Sequence, residues 1–497
     1  MSQTTAKNTL EALVFAPAHE QARALADGEV RSIDLLEHIL ARIAQHNPAL
    51  NAIVARDDEG ARRAAREADA ALARGERKPL LGVPVTVKEN FHVAGLVTSV
   101  GNLDYAGNVS PQDAPAVAAL REAGAVVVGK TNVPLALADL QTYNAVYGVT
   151  SNPWDLARTP GGSSGGSAAA IAAGLSALEV GTDIGGSIRV PAHFTGIYGH
   201  KPTYGLVHNG GTGVPAGKQA LRDLTVAGPL ARSAEDLELA LQILLNRDPL
   251  ANKAWRVELP PARHDSLAPF RVLLLTRWPG RPQSTAEKLV EARLRQGLEA
   301  AGVRVVLPED LGDYVPDLEA AHHNYRTLLG ASLAAPTHGR AAQVQAAEGT
   351  QADGQDVRKL AEQISHGDWL VQNERRLQFR AQWEKLFTQV DVVLSPVLVE
   401  TAFLHDHSEP KDARHFPVDF GAETAQLKFA DLFEWAGLPV LPGLPATSFP
   451  IGLDDAGLPV GAQAIGPFLE DLTPIRFAQL YTALQGGFTA PPNFGVA

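Results

Sequence analysis

Apolar positions in the first part of the chain switch between two spacings. Leucine and isoleucine recur every three or four residues after Ser32, which predicts an amphipathic helix that ends around Asn47. A second helix is predicted from Glu59 to Arg74. Valines alternate from Val83 to Lys88 and follow one another from Ala125 to Val128, so both segments predict short strands. Helices that alternate with valine-rich strands are typical of an α/β fold.

The same alternation continues through the rest of the chain. Further helices are predicted over 114–122, 167–173, 285–301, 360–386 and 472–484, and further strands over 178–180, 272–275, 303–306, 390–394 and 459–465. Ser233 and Asp236 have capping-box spacing and predict another helix start. Residues 246–270 are rich in proline and charge and predict a surface crossing rather than a linker between domains. The pattern favours one large α/β domain.

Composition excludes several kinds of chemistry and partner. The 497 residues contain no cysteine, which excludes disulfides, thiolate metal sites and a cysteine nucleophile. Acidic residues outnumber basic ones by 55 to 43, the formal charge is −12, and no basic block is present, so we expect no nucleic-acid partner. The N-terminus is polar and no run of about 18 apolar residues occurs. These features predict a cytoplasmic protein without membrane contact.

Gly124–Thr131 matches the sequence string of a phosphate-binding loop. In such a loop the four variable residues form a turn whose N–H groups surround phosphates. Here those residues are Ala-Val-Val-Val, which belong to a predicted strand, and Pro134 follows where a helix would have to begin. A buried strand that ends in a turn is therefore favoured over a nucleotide site.

Gly161–Gly166 matches the nucleophile elbow of α/β-hydrolases in two overlapping frames. That elbow needs an apolar strand before its serine, but the segment that leads into it contains Pro153 and Pro160. His193 and His200 lie downstream and are candidates for a Ser-His-Asp triad. A structural role for both histidines is favoured.

Two neighbouring glycine turns, Thr159–Ser167 and Gly181–Ser187, bring serines close to backbone N–H groups. Adjacent turns of this kind can direct several N–H groups at one anionic point, as an oxyanion hole requires. Lys88 remains as the candidate base, because it ends an apolar strand where desolvation would lower its pKa from about 10.4. Taken alone, a lysine at a strand end more often extends its ammonium group to solvent.

These segments resemble the amidase signature family of serine hydrolases. The resemblance rests on Gly82–Asn90, Gly129–Asn132, Thr159–Ser167, Gly181–Pro191, Gly199–Thr203 and Gly457–Gln463, and it covers about residues 30–485. Both misleading motifs are fragments of this pattern. The resemblance implies a single large α/β domain with a central mixed, twisted β-sheet covered on both faces by α-helices. Residues 1–75 would form an N-terminal helical segment packed on a core of residues 76–497.

The resemblance also implies a catalytic triad. Ser187 would be the nucleophile and Lys88, in its neutral form, the base. Ser163 would follow a non-proline cis peptide bond and connect the two. No metal ion or cofactor is implied.

Further site residues carried over from the family fall into three groups. The oxyanion hole would use the backbone N–H groups of Ile184, Gly185, Gly186 and Ser187. Residues surrounding the triad would be Ser164, Thr182, Asp183 and Arg189, of which the last two would hold the glycine turn. Substrate contacts would come from Leu137, Ala138, Gln141 and Gly162.

Enzymes of this family cleave carbon–nitrogen bonds of amides through an acyl-enzyme, and some members accept carbamates, urethanes or esters. The aliphatic segment Leu135–Gln141 favours an apolar or aryl group on the substrate over a charged one. An amidotransferase subunit that acts on glutamyl-tRNA is similar in its core, but it carries a Met-Asp-Glu-Phe-Ala-Met-Gly-Ser-Ser run where this chain has Val133–Asn144. This departure favours a stand-alone hydrolase of small-molecule amides or carbamates, either monomer or homodimer.

Two alternatives remain at this point. One is a non-hydrolytic or amidotransferase subunit that binds a partner; the other, which is less favoured, is a Ser-His-Asp hydrolase. Residues 204–222 contain five glycines and are interpreted equally well as a mobile lid over the site or as an ordinary surface loop.

Overall fold

The computed structural model describes residues 3–215, 220–248, 250–333 and 364–495. Its α-helices are α1 (Gln3–Val14), α2 (Ala18–Ala26), α3 (Ser32–Leu50), α4 (Asp58–Ala73), α5 (Pro115–Glu122), α6 (Gly165–Ala172), α7 (Arg189–Thr195), α8 (Ala234–Leu244), α9 (Thr285–Ala300), α10 (Pro308–Leu311), α11 (Leu318–Leu333), α12 (His366–Leu386), α13 (Glu434–Gly437) and α14 (Leu472–Gln485). Its strands are β1 (Ile53–Arg56), β2 (Pro84–Lys88), β3 (Val126–Thr131), β4 (Tyr143–Asn144), β5 (Gly148–Val149), β6 (Leu178–Asp183), β7 (Tyr198–Lys201), β8 (Val226–Ala231), β9 (Arg271–Leu274), β10 (Arg304–Val306), β11 (Val392–Pro396), β12 (His415–Asp419), β13 (Thr424–Lys428), β14 (Ala446–Leu453) and β15 (Pro459–Ile465).

An eight-stranded sheet runs in the order β10-β9-β11-β15-β14-β7-β8-β6. The strands β10, β9 and β11 are parallel, and every later neighbour in this order is antiparallel. A second sheet, β1-β3-β2, lies with its edge strand β2 beside β6. A side chain connects the two edges. The backbone amide of Thr86 in β2 donates a hydrogen bond to the Oγ of Ser176, which lies just before β6, at 3.0 Å. The predicted single-domain α/β fold, with a large mixed central sheet flanked by helices, is confirmed.

Helix α3 continues beyond its predicted end at Asn47. Pro48 lies inside the helix, which ends at Leu50 and is followed by Asn51 in the left-handed conformation at φ 50°. The Asn47 side-chain oxygen accepts hydrogen bonds from two backbone amides that follow the helix, each at 2.9 Å. The capping interaction therefore comes one turn later than a rule based on proline alone predicts.

The first 75 residues contain one strand that the apolar pattern did not predict. Strand β1 pairs antiparallel with β3, so this part of the chain contributes to a sheet as well as helices. The boundary at residue 75 stays a prediction. The predicted start of α12 at residue 360 lies outside the described residues, within which the helix begins at His366.

Candidate active site

Lys88 ends β2 at the seam between the two sheets and is completely buried. Its Nζ lies 2.7 Å from Ser163 Oγ, 3.0 Å from Thr182 Oγ1 and 3.2 Å from the Thr182 carbonyl oxygen. Burial lowers the pKa of Lys88 to about 7, although Asp183 and Glu179 act in the opposite direction. A substantial fraction of this lysine is therefore uncharged near neutral pH.

Ser163 lies in the first glycine turn, immediately before α6. The peptide bond between Gly162 and Ser163 is cis. A Cβ atom on Gly162 would lie 2.5 Å from the Asp139 carbonyl oxygen, so no larger residue fits there without movement of the backbone. The Ser164 amide donates to the Ser187 carbonyl oxygen at 3.1 Å, which connects the two glycine turns. Ser164 Oγ is buried, and no described residue forms a hydrogen bond with it.

The second glycine turn is held by Asp183 at the end of β6. Its two carboxylate oxygens accept hydrogen bonds from the Gly186 amide at 2.9 Å and from the Ile188 amide at 3.0 Å. Gly186 has φ +96°, and a Cβ atom there would lie 2.8 Å from a methyl group of Val190. The turn therefore depends on glycine at this position.

Arg189 forms a fully buried ion pair with Asp183. Its Nη2 lies 3.0 Å from Asp183 Oδ1, and its Nη1 donates to Gln463 Oε1 at 2.8 Å. Burial opposes ionisation of Asp183, but the guanidinium group and the backbone donors hold the pKa of that carboxyl below its usual value. Asp183 is thus ionised and already neutralised by Arg189, close to Lys88.

Backbone N–H groups of the second turn differ in availability. The Gly186 amide is occupied by Asp183, whereas the amides of Ile184, Gly185 and Ser187 meet no acceptor among the described residues. Tyr325 donates its hydroxyl to the Ile184 carbonyl oxygen at 3.1 Å and fixes the start of the turn. The Ser187 side chain is almost buried, and within the described ranges no hydrogen bond joins its hydroxyl to that of Ser163.

A cavity of about 280 Å³ opens beside these residues and reaches the lysine cluster through Thr182, which contacts Lys88 and lines the cavity. The wall is mixed in polarity. It contains Asn90, Val100, Asn102, Tyr105, Ala136, Leu137, Thr182, Asn209, Gly210, Gly211, Thr212, Gly213, Val214, Ala220, Leu221, Arg222 and Thr225.

Of the residues predicted to contact substrate, the structure places Leu137 in the cavity wall. The Gln141 side chain instead exchanges two hydrogen bonds with the backbone of Asp406, at 2.6 and 2.9 Å. The Ala138 carbonyl accepts from the Lys411 ammonium group, and Gly162 packs against the backbone of residues 139–141. These three residues are not among the described residues that line the cavity, and their role as substrate contacts stays a prediction.

Asp139, in the same aliphatic segment, is buried and pairs with Arg414 at 2.7 Å. Its charge is consequently compensated within the protein and does not face the cavity.

The two histidines of the elbow interpretation lie in other surroundings. His193 Nδ1 accepts a hydrogen bond from the Gly461 amide at 2.7 Å, and burial lowers the pKa of His193 to about 4. His200 lies between Thr447 and Asp471, at 2.9 and 3.2 Å. Among the described residues, neither ring is hydrogen-bonded to a serine of the glycine turns.

The apparent phosphate-loop lysine, Lys130, is buried in β3. Its ammonium group donates to Thr98 Oγ1 at 2.7 Å and to the Val97 carbonyl oxygen. The residues of this motif are in a strand, as the apolar pattern predicted.

Residues 209–214 and 220–222 of the segment 204–222 line the cavity. The segment is bound to the chain after Lys88, because the His92 amide donates to the Gly211 carbonyl at 2.9 Å and the Gly213 amide to the Asn90 carbonyl at 2.8 Å. Residues 216–219 lie outside the described part, and the lid role stays a prediction.

Glu179 is a site residue that the sequence reasoning missed. It is fully buried in β6 and accepts hydrogen bonds from Thr131 Oγ1 at 2.6 Å and from Thr86 Oγ1. Burial raises its pKa to about 7, against the effect of these donors and of Lys88. A lone carboxylate between Leu178 and Val180 in an apolar strand was the signal that could have identified it.

Comparison with known proteins agrees with this geometry. A family model described as Amidase matches residues 34–473. The chain is 34% identical over 494 residues to a glutamyl-tRNA(Gln) amidotransferase subunit from Azoarcus sp. (strain BH72), with 94% of this chain and 98% of that protein covered. The chain belongs to the amidase family. It is an enzyme that acts on carbon–nitrogen bonds other than peptide bonds.

Solved structures give the same result. One described as "Crystal structure of amidase" has a TM-score of 0.75 and 28% identity, and covers 95% of this chain and 100% of its own. Another, described as "An unexpected vestigial protein complex reveals the evolutionary origins of an s-triazine catabolic enzyme", has a TM-score of 0.78 and 27% identity, and covers 96% and 100%. No described helix combines the length and hydropathy that a membrane crossing needs.

Replacing Arg189 tests how the second glycine turn is held. Arg189→Met leaves the Asp183 carboxylate buried without its cation, so we expect the free energy of unfolding to fall by about 3–5 kcal/mol. Chemical denaturation measures this change. Arg31→Met removes one partner of the exposed Arg31–Asp34 pair and serves as the control, with little change expected. Equal stability of the two variants would contradict the assignment.

Proposed function

We propose that this enzyme is a serine amidohydrolase that cleaves the carbon–nitrogen bond of small-molecule amides or carbamates through an acyl-enzyme. The observation that carries the proposal is the 2.7 Å contact between the buried Lys88 amine and Ser163 Oγ. Burial lowers the pKa of this lysine to about 7, which provides a base without histidine.

The surroundings of Lys88 suit its neutral form. An uncharged amine has two N–H groups and one lone pair. The two N–H groups are matched by the Thr182 carbonyl oxygen and Thr182 Oγ1, at 3.2 and 3.0 Å. The lone pair then faces Ser163, whose hydroxyl donates to it. Ser163 is thereby prepared to accept a proton from another hydroxyl.

In the proposed reaction Ser187 Oγ attacks the substrate carbonyl carbon. The Ser187 proton passes to Ser163 Oγ while the Ser163 proton passes to Lys88 Nζ. The two serine hydroxyls must come together for this step, and catalytic hydrogen bonds of this kind often tighten only when substrate is bound. The oxyanion accepts hydrogen bonds from the N–H groups of Ile184, Gly185 and Ser187, which have no acceptor among the described residues, while the Gly186 amide holds the turn through Asp183.

Collapse of the tetrahedral intermediate breaks the carbon–nitrogen bond. The Lys88 ammonium returns its proton through Ser163 to the departing nitrogen, which leaves as an amine, and the acyl group remains as an ester on Ser187. Water then attacks this ester with the same residues acting as base and acid. The sequence of steps requires neither a metal ion nor a cofactor. Carbamates, urethanes and esters fit the same steps, and either a monomer or a homodimer can carry them out.

An amidotransferase subunit is the second candidate function. It is favoured by the 34% identity to the Azoarcus protein of that name over nearly the whole chain. The segment Val133–Asn144 favours the stand-alone hydrolase instead, since it lacks the amidotransferase run. Both candidates use the same covalent step and differ in what receives the released nitrogen.

Covalent labelling tests the nucleophile. A fluorophosphonate probe should label the wild-type protein at one residue, and Ser187→Ala should abolish labelling because the attacking oxygen is gone. Peptide mass spectrometry locates the adduct. His200→Ala is the control, and labelling should persist there. An adduct on Ser163 or Ser164 would instead support the elbow interpretation.

Substrate assays separate the two candidates. We expect the purified chain, without any added protein, to hydrolyse members of a panel of p-nitroanilides, aryl carbamates and simple primary amides. Product release is followed by absorbance or ammonia detection. Turnover of glutamine only after addition of a partner subunit would favour the amidotransferase, and so would inactivity on the entire panel.

The pH profile tests the base. Activity should rise with pH through about 7 to a plateau, because the acid form of Lys88 cannot accept a proton. Glu179 raises the lysine pKa, so Glu179→Gln should move this rise to lower pH by about one unit. Glu434→Gln is a matched control, since Glu434 is also a buried carboxyl with its pKa raised to about 7 but pairs with Arg281. A Glu179→Gln profile that coincides with wild type would refute the coupling.

A further inference from the structure

Arg222 is the one charged residue among the described residues that line the cavity. No carboxylate partner for its guanidinium group is present in the described part of the chain. The adjacent acid, Asp223, is bound by Arg376 at 2.7 Å and is not available to it. Arg222 is exposed at the cavity, so a ligand can reach its guanidinium group. The side chain is charged at any physiological pH.

Asn90 supplies an independent observation in the same cavity wall. The residue is 2% exposed, and its Oδ1 is buried and has no hydrogen-bond partner in the described part of the chain. The backbone of Asn90 is held in place, because its carbonyl oxygen accepts a hydrogen bond from the Gly213 amide at 2.8 Å. A buried oxygen without a donor is unfavourable, so an N–H group of a bound molecule would find an acceptor already in place.

The cavity extends from the reacting groups to these two side chains. Thr182 connects it to Lys88, and Asn90 follows Lys88 by two positions at the end of β2. Apart from Arg222, the described lining is uncharged. An unpaired guanidinium group in such surroundings matches a carboxylate, with which it forms two parallel charge-assisted hydrogen bonds.

We propose that the cavity selects amide or carbamate substrates that carry a carboxylate group, which Arg222 binds, while Asn90 Oδ1 accepts a hydrogen bond from a substrate N–H. This inference rests on the proposed hydrolase function and specifies its substrate class. It also departs from the expectation based on the aliphatic segment Leu135–Gln141, which favoured an uncharged group. Arg222 lies outside that segment, and the tertiary fold places it in the cavity wall.

A pair of substrates that differ only in the carboxylate tests the proposal. The mono-4-nitroanilide of glutaric acid and the 4-nitroanilide of pentanoic acid have the same chain length. Wild type should prefer the glutaric compound by about tenfold or more in kcat/KM. Arg222→Gln should reduce that ratio at least tenfold, and Arg222→Lys should retain part of it. Asn90→Leu should lower kcat/KM for both compounds, since both carry the same N–H.

Arg256→Gln is the matched control, because within the described ranges Arg256 donates to two backbone carbonyls outside the cavity and to no other group. Its preference ratio should equal that of wild type. A wild-type enzyme that is labelled by fluorophosphonate and cleaves both anilides without preference overturns the carboxylate proposal and leaves the hydrolase function standing.

A binding measurement keeps the two proposals separable. Glutarate should raise the melting temperature of wild type, and Arg222→Gln should abolish that shift. This shift in a protein that is neither labelled nor active would support the carboxylate site while contradicting the hydrolase. Absence of the shift in wild type, together with absence of a substrate preference, overturns the carboxylate site.

Discussion

The arrangement of the site depends on the burial of one amine at the junction of two sheets. Lys88 comes from the three-stranded sheet, and its partner Thr182 comes from β6 of the eight-stranded one. Two carboxylates lie close enough to act on the lysine, but Asp183 is neutralised by Arg189 and Glu179 is bound by threonine hydroxyls. Because neither forms an ion pair with Lys88, desolvation dominates and lowers its pKa.

The site also depends on the close approach of neighbouring backbone segments. This close approach explains why so many glycines surround the serines. A Cβ atom on Gly166, at the start of α6, would lie 2.4 Å from the Asn132 amide nitrogen, and one on Gly162 would lie 2.5 Å from the Asp139 carbonyl oxygen. Gly186 requires a positive φ as well as space. The packing that places the first glycine turn against the buried Lys88 amine thus leaves no room for a side chain at these glycine positions. This segment is constrained by sterics before any chemistry is considered.

Sequence reasoning succeeded where a feature depends on neighbours along the chain, as for the apolar strand that ends at Lys88. It was less successful where partners are remote. Asp139 pairs with Arg414, and Arg222 enters the cavity wall by tertiary folding, contacts that no periodicity in one sequence encodes. The rule that a helix ends before a proline was also overridden at Pro48, which lies inside α3. The Asn47 side chain accepts hydrogen bonds from the backbone that follows this helix. Residue type and spacing suggest such capping but do not determine it.

Relatives with different names match nearly the whole of this chain, and the proposed covalent step specifies neither the acyl group nor the fate of the nitrogen. In the proposed reaction the glycine turns and Lys88 act only on atoms of the scissile bond. Selectivity must therefore come from other parts of the cavity wall, which here are Ala136 and Leu137 together with residues 209–214 and 220–222. The Lys88 amine is hydrogen-bonded to Ser163 and Thr182, which lie outside these segments, so side chains there can change without removing its contacts. Differences in substrate within the family are accordingly to be sought there.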